Sequence, residues 1–330
     1  MKFATIIEDG DTVGTVGIQQ NQLVRLSDLG PWASIRELIE GGDAAIENVK
    51  KALSKKKLRT ISAAQAKWAP PIPDPSKMLF IALNNVVLDE ILVHRPDFPV
   101  YFPKINSALA GSGAILELHT QYGLTHAEPE LGVIIGKRGR YIAIENAMNH
   151  VFGYTVINDV TSATMRMEDV YLVRYPMPKA DLAYAPVEEH LLYPGRYKNG
   201  DGFAPMGPYI VSKDEIDDPH NLYVKAWIDE DLIADDNTKN LHYSVSEVIH
   251  WISMHSTLEA GDIISMGTAL HPDAQCDPLS RGDLNSRGEV VRVEIESIGT
   301  VETPIKRIRN ADPKEYFAAN KRFVKTLKTY

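Results

Sequence analysis

Residues 126–137 read HAEPELGVIIGK. Two acids, Glu128 and Glu130, stand at the entrance of an apolar run. In an extended chain, residues i and i+2 project to one face, so their carboxylates converge. Pro129 between them has no N–H to give a ladder, which places the pair at a strand entrance or edge. A second apolar strand, GYTVIND, closes on a third acid, Asp159. Carboxylates gathered at strand ends repel one another unless something positive lies among them. Oxygen-only ligands favour a hard divalent cation, Mg2+ or Mn2+, with Ca2+ also compatible. From spacing alone, solvated strand-end glutamates are the commoner reading of an E-x-E pair.

Outward from this stretch the texture is mostly β. MLFIAL, PVYF, ELGVIIG, VFGYTVINDV, LYVKAWID and EVVRVEIESIG are short strand-like runs, interrupted by helical segments at 143–150 and 244–255. Ser244 and Glu247 have capping-box spacing. Strands that do not alternate regularly with helices predict a mixed, mostly β sandwich or roll rather than a doubly wound fold. Before them, KFATIIE, TVGTVGIQ and QLVRLSDL read as strands, and SIRELIEGG and DAAIENVKKAL as helices. These form a small N-terminal α+β unit over 1–70. The proline-dense linker APPIPDPSK (69–77) leads into a larger domain over 71–310. Residues 311–330 read as a basic C-terminal helix.

The chain has 330 residues and a net charge of −9, which argues against nucleic acid as a partner. It does not exclude an anionic substrate, because a bound metal inverts the local field. No stretch approaches the roughly 20 apolar residues of a membrane span. The start, MKFATIIEDGD, does not read as a signal peptide. A lone cysteine, Cys276, excludes an internal disulfide framework and a multi-cysteine zinc site. Together these features point to the cytosol. His242, His250 and His255 lack the spacing of one zinc-binding face. Nucleophile-elbow, phosphate-loop and dinucleotide-loop signatures do not occur.

Four stretches, in order, resemble the fumarylacetoacetate hydrolase family. They are HAEPELGVIIGKRGR, GYTVINDVT (153–161), KNGDGFAPMGP (198–208) and TLEAGDIISMGTA. The resemblance spans roughly 78–308. It implies a β-roll, a homodimer, and a divalent metal held by Glu128, Glu130 and Asp159. The implied substrate is a small 2-oxo or β-diketo carboxylate, hydrolysed or rearranged through an enolate that the metal stabilises. Lys198 takes the place of the family lysine, and Thr268 that of the threonine which contacts a substrate carboxylate. Gly200 and Gly202 replace larger residues beside Lys198 and predict a more mobile loop.

Departures from the family pattern bear on the reaction. The lid pattern N-Y-x-x-H-x-x-E, whose His–Glu pair activates water, reads here LNNVVLDEILVHRPDFP. Leu88 and Ile91 fall where the pair should stand. Asp89, Glu90 or His94 are the acids and histidine left to substitute. Ala163 replaces an arginine, which leaves Arg166 as the candidate carboxylate binder or, alternatively, as an ion-pair partner of Glu168 or Asp169. The long stretch between Arg166 and Lys198 reads as an insertion over the site. The expectation is therefore an enzyme with Lys198, Glu128 and Arg166 as catalytic candidates. Thr268, Arg166, Tyr154 and His94 are its substrate contacts. Its activity is C–C hydrolysis of an acylpyruvate-like acid, with isomerase, hydratase or decarboxylase chemistry, or a silent scaffold, as alternatives.

Overall fold

The computed structural model describes residues 1–19, 21–55, 58–90, 92–178, 184–270 and 282–309. Cys276, Ile91 and the C-terminal segment 311–330 lie outside the described residues. The chain opens with β1 (Lys2–Glu8), β2 (Asp11–Ile18), β3 (Gln22–Arg25), α1 (Leu26–Leu29), α2 (Ile35–Glu40), α3 (Gly42–Lys55) and β4 (Ile61–Ser62). QLVRLSDL is thus half strand and half helix: β3 stops at Arg25, and Leu26 and Leu29 turn inward on a helical period.

The larger part begins with β5 (Met78–Ile81), β6 (Tyr101–Lys104), β7 (Leu109–Gly111), β8 (Leu116–His119), β9 (Thr125–His126), β10 (Pro129–Ile135), β11 (Val151–Asn158) and β12 (Thr161–Ser162). Then come α4 (Ala163–Glu168), β13 (Tyr171–Pro178), β14 (Tyr184–Leu191), β15 (Ala204–Ser212), β16 (Tyr223–Ile228) and β17 (Asp231–Asn237). The last elements are α5 (Val245–His255), β18 (Ile263–Thr268), β19 (Val290–Ile295) and β20 (Gly299–Ile308).

The main sheet has the order β4-β3-β2-β1-β15-β11-β10-β18-β5-β6, and a second sheet the order β17-β16-β19-β20-β8. The two pack face to face through β10, β11 and β15 against β16, β19 and β20. This is the mostly β, mixed-sheet architecture expected, and it leaves β10 buried along its whole length. The N-terminal strands extend the main sheet through β1, which pairs antiparallel with β15 from Lys2↔Val211 to Ala4↔Tyr209. After β6, at the far edge, the chain returns to pair β7 in parallel beside β15. The sheet is thereby rolled, and side chains from distant strands meet at one end.

Two local details position that end. Gly132 follows Glu130 on the same face, where a Cβ would lie 2.6 Å from Ile157 and 2.7 Å from Thr155. The β10–β18 register also shifts between Glu130 and Gly132, an irregularity of the kind that re-aims side chains beside a site. Elsewhere, α5 carries the expected capping box between Ser244 and Glu247. The segment near 143–150 is 3-10 rather than α-helical, over Ile144–His150. The insertion forms a two-stranded sheet of its own, β13 with β14, with Tyr171 and Leu172 exposed.

Candidate metal centre

Three strand ends deliver the acids. Glu130 pairs with Ile157 on β11 and with Thr268 on β18, so it lies between the neighbours that end in Asp159 and Thr268. The main chain locks Glu128: its N–H donates to Asn158 Oδ1 at 3.0 Å, and its carbonyl accepts from Asp159 N at 2.8 Å. Glu128, Glu130 and Asp159 bring ligand oxygens within 4.8 Å of one another.

Two buried ammonium groups hold this negative charge. Lys198 Nζ donates to Glu128 Oε2 at 2.7 Å and to Asp159 Oδ2 at 2.5 Å. Lys104 Nζ lies 2.5 Å from Asp159 Oδ1 and donates to the Phe203 carbonyl at 2.5 Å. Thr268 Oγ1 is 3.1 Å from Glu130 Oε1 and 3.3 Å from Glu128 Oε2. Ser265 Oγ and Gly267 N both donate to Glu130 Oε2.

The surroundings split the acids. Burial alone would raise Glu128, but Lys198, His126 and Lys104 outweigh it and hold the carboxyl down at about 2. Among the described residues no ammonium contacts Glu130; burial, then Asp159 and Glu128, push it up to about 8. Burial disfavours the Lys198 ammonium, yet Asp159, Glu128 and Glu130 together raise its pKa above the usual value. Lys198 is therefore a fixed cation rather than a base at neutral pH. Burial lowers Lys104, against the pull of Asp159.

This donor set fits a hard divalent ion. The ligand atoms are all carboxylate oxygens, they converge, and burial together with repulsion from Asp159 and Glu128 keeps Glu130 from ionising. Lys104 was not anticipated from the sequence. Its signal lay in β6, where Phe102 and Lys104 are buried and Pro103 between them is exposed, so an inward strand position carries a charge. His126, two residues before Glu128, was also passed over; it is buried beside Glu128.

The other assigned residues separate from the cluster. Tyr154 does not face it. The ring is 1% exposed, on the opposite face of β11 from Thr155 and Ile157, which oppose Gly132 and Glu130. It is a core residue, and burial raises its phenol. His94 sits exposed in the loop after the lid turn. Arg166 is exposed on α4 near Tyr197, and the ion pairs with Glu168 and Asp169 belong to Arg196 instead. Asp89 is held by Arg95, whose guanidinium also binds the carbonyls of Leu83 and Asn85. The lid turn is fixed further by Asn84 Nδ2, which donates to the Tyr243 and Met266 carbonyls. The glycines beside Lys198 serve a tight turn: Gly202 has φ +74°, and a Cβ on Gly200 would meet the Phe203 ring at 2.7 Å.

Residues 84–306 match the model of the fumarylacetoacetate (FAA) hydrolase C-terminal domain. The chain belongs to the fumarylacetoacetate hydrolase family. A mitochondrial oxaloacetate tautomerase from Xenopus laevis is 31% identical over 274 residues, covering 82% of this chain and 78% of that protein. Maleylpyruvate hydrolase from Sphingobium sp. SYK-6, solved with manganese(II) and pyruvate, superposes with a TM-score of 0.69 at 24% identity. That match covers 93% of this chain and 99% of the hydrolase. The 5-carboxymethyl-2-hydroxymuconate delta-isomerase of Mycobacterium smegmatis superposes with a TM-score of 0.65 at 20% identity, covering 94% and 100%. Family relatives thus include tautomerases, hydrolases and isomerases. Among the described residues, no helix is long and apolar enough to cross a membrane.

Proposed function

We propose that the protein is a divalent-metal-dependent tautomerase of a short 2-oxo acid, with a dicarboxylate such as oxaloacetate as substrate. The observation that carries this reading is the convergent carboxylate triad beside a permanently charged lysine, in a chain whose sequence has Leu88 and Ile91 where the family's imidazole–carboxylate pair would stand. Mg2+ or Mn2+ held by Glu128, Glu130 and Asp159 would supply Lewis acidity to the 2-oxo oxygen.

The chain's own residues do the rest. Lys198, kept charged by Asp159 and Glu128, offers N–H donors to negative charge developing on a substrate oxygen. Thr268 offers a hydroxyl to the substrate carboxylate from the rim of the cluster, and Arg166 a solvent-facing cation for a second carboxylate. Lys104 is too deeply buried to meet substrate and instead holds Asp159 in place. Keto–enol interconversion moves one proton from C3 to the C2 oxygen and consumes no water. Hydrolysis consumes water and needs a base to activate it. Leu88 is half-buried at the family histidine position, and the acids nearby, Asp89 and Glu90, are exposed. The relatives' tautomerase activity agrees with that lid.

The test is calorimetric titration of Mn2+ into chelator-treated protein, followed by decay of oxaloacetate enol absorbance. Wild type binds and accelerates the decay without releasing carbon dioxide or a cleavage product; Glu130→Ala does neither. Absence of Mn2+ binding refutes the metal reading. Binding with C–C cleavage of an acylpyruvate replaces tautomerase by hydrolase, and binding without turnover of either acid leaves a scaffold.

A further inference from the structure

His126 is 2% exposed, and neither ring nitrogen has a hydrogen-bond partner among the described residues. A buried imidazole with both nitrogens unmet is costly, and a group of this kind calls for a functional explanation, a bound ion among them. Nδ1 lies 3.6 Å from Glu128 Oε1, slightly longer than a hydrogen bond. The other Glu128 oxygen, Oε2, takes both Lys198 and Thr268. Oε1 has no hydrogen-bond donor among the described residues. An unmet ring nitrogen, which donates when it carries the proton, and an unmet acceptor therefore face each other across a small gap.

The backbone on both sides is fixed. His126 pairs with Thr161 on β12, and Glu128 is tied through its N–H and carbonyl to Asn158 and Asp159. With both backbones fixed, side-chain rotation is what closes the gap. His126 is not itself one of the converging ligands, because the group whose atoms lie within 4.8 Å of one another comprises the three carboxylates alone.

We propose that His126 is a positioning residue: its Nδ1–H closes on Glu128 Oε1 when a divalent cation enters the cluster, and orients Glu128 as a ligand. This rests on the reading of the cluster as a metal site. Hydrogen bonds to ligating groups typically change metal affinity by about 10–100-fold.

The experiment titrates Mn2+ by calorimetry into chelator-treated wild type, His126→Leu and His126→Asn, with melting curves of each metal-free protein. His126→Leu should bind Mn2+ about 10–100-fold more weakly, yet melt no lower than wild type, since it removes unmet polar atoms from a buried place. His126→Asn places an amide N–H near the position of Nδ1 and should recover most of the affinity. Wild type that binds Mn2+ while His126→Leu binds equally overturns this proposal alone. So does a weakened His126→Leu that His126→Asn fails to rescue. Wild type that takes up no Mn2+ overturns this proposal and the metal reading together.

Discussion

Glu130→Gln should make the metal-free protein more stable while it abolishes metal binding. The carboxyl sits at about 8 in the fold, against an ordinary value of 4.5. At pH 7 the unfolded chain carries Glu130 ionised and the folded chain carries it protonated, so folding takes up a proton. Stability contributed by this group therefore falls as pH rises from the unfolded value to the folded one. At pH 7 the cost is at most about 3 kcal/mol, from 1.36 kcal/mol per pH unit. Glutamine removes it and keeps the contacts. Its amide oxygen accepts from Gly267 N and Ser265 Oγ, and its amide N–H donates to Thr268 Oγ1. For 330 residues, that free energy raises Tm by about 4 °C. The assay is thermal unfolding by circular dichroism between pH 5 and 8, with and without Mn2+. The advantage of the variant should widen with pH across this window. Wild type, but not the variant, should gain about 2.7 kcal/mol at Mn2+ one hundred times its Kd. A variant that melts below wild type without metal at pH 7.5, or that still gains with Mn2+, would refute the reasoning.

Other perturbations separate support from binding. Lys104→Met strips a cation from buried Asp159, so about 3 kcal/mol of stability should go; thermal melts should show saturating Mn2+ restoring part of it, and an unchanged Tm would mean the pair is dispensable. Mn2+ affinity should fall by up to about tenfold per pH unit below 8, as the proton on Glu130 competes. Calorimetry at pH 7 in buffers of differing ionisation enthalpy should then report about one proton released per ion, and a buffer-independent heat would contradict this. Ser244→Ala removes the capping box of α5 and should lower stability by about 1 kcal/mol in chemical denaturation. Mn2+ affinity should not change, and a weakened titration would tie the helix to the site.

What the sequence made legible is what its local period encodes. Glu128 and Glu130 flank Pro129 at the entrance of β10, and Asp159 follows directly on the end of β11, so their convergence followed from extended geometry. The order of motifs added Lys198 and Thr268, both of which the structure brings to the acids. Tyr154 was misassigned although the same rule of two places it on the face away from Glu130. Lys104 reaches Asp159 only because the chain leaves β6 at one sheet edge and returns as β7 beside β15. That closure is a property of the rolled sheet, and no local window carries it. Arg166 was offered an ion pair by proximity in sequence, but Arg196, about 30 residues away along the chain, approaches from across the insertion and takes both acids.

The two lysines also constrain what the cluster can hold. With Glu130 protonated, Glu128 and Asp159 are balanced by Lys198 and Lys104, and the buried site is close to neutral. A divalent ion that displaces the Glu130 proton leaves one positive charge in excess. An uncompensated buried charge is costly, so the loaded site favours an anion at its open side, where Thr268 and the Lys198 ammonium already lie. Metal and carboxylate substrate should therefore bind with positive coupling, each strengthening the other by the same factor. Lys198 matters here as charge and not as a proton donor to solvent: Lys198→Arg keeps the excess and should keep the coupling, whereas Lys198→Met cancels the excess and should remove it. Mn2+ titrations with and without pyruvate measure that factor directly, and equal coupling in the methionine variant would show that the anion is held by something other than the charge of this cluster.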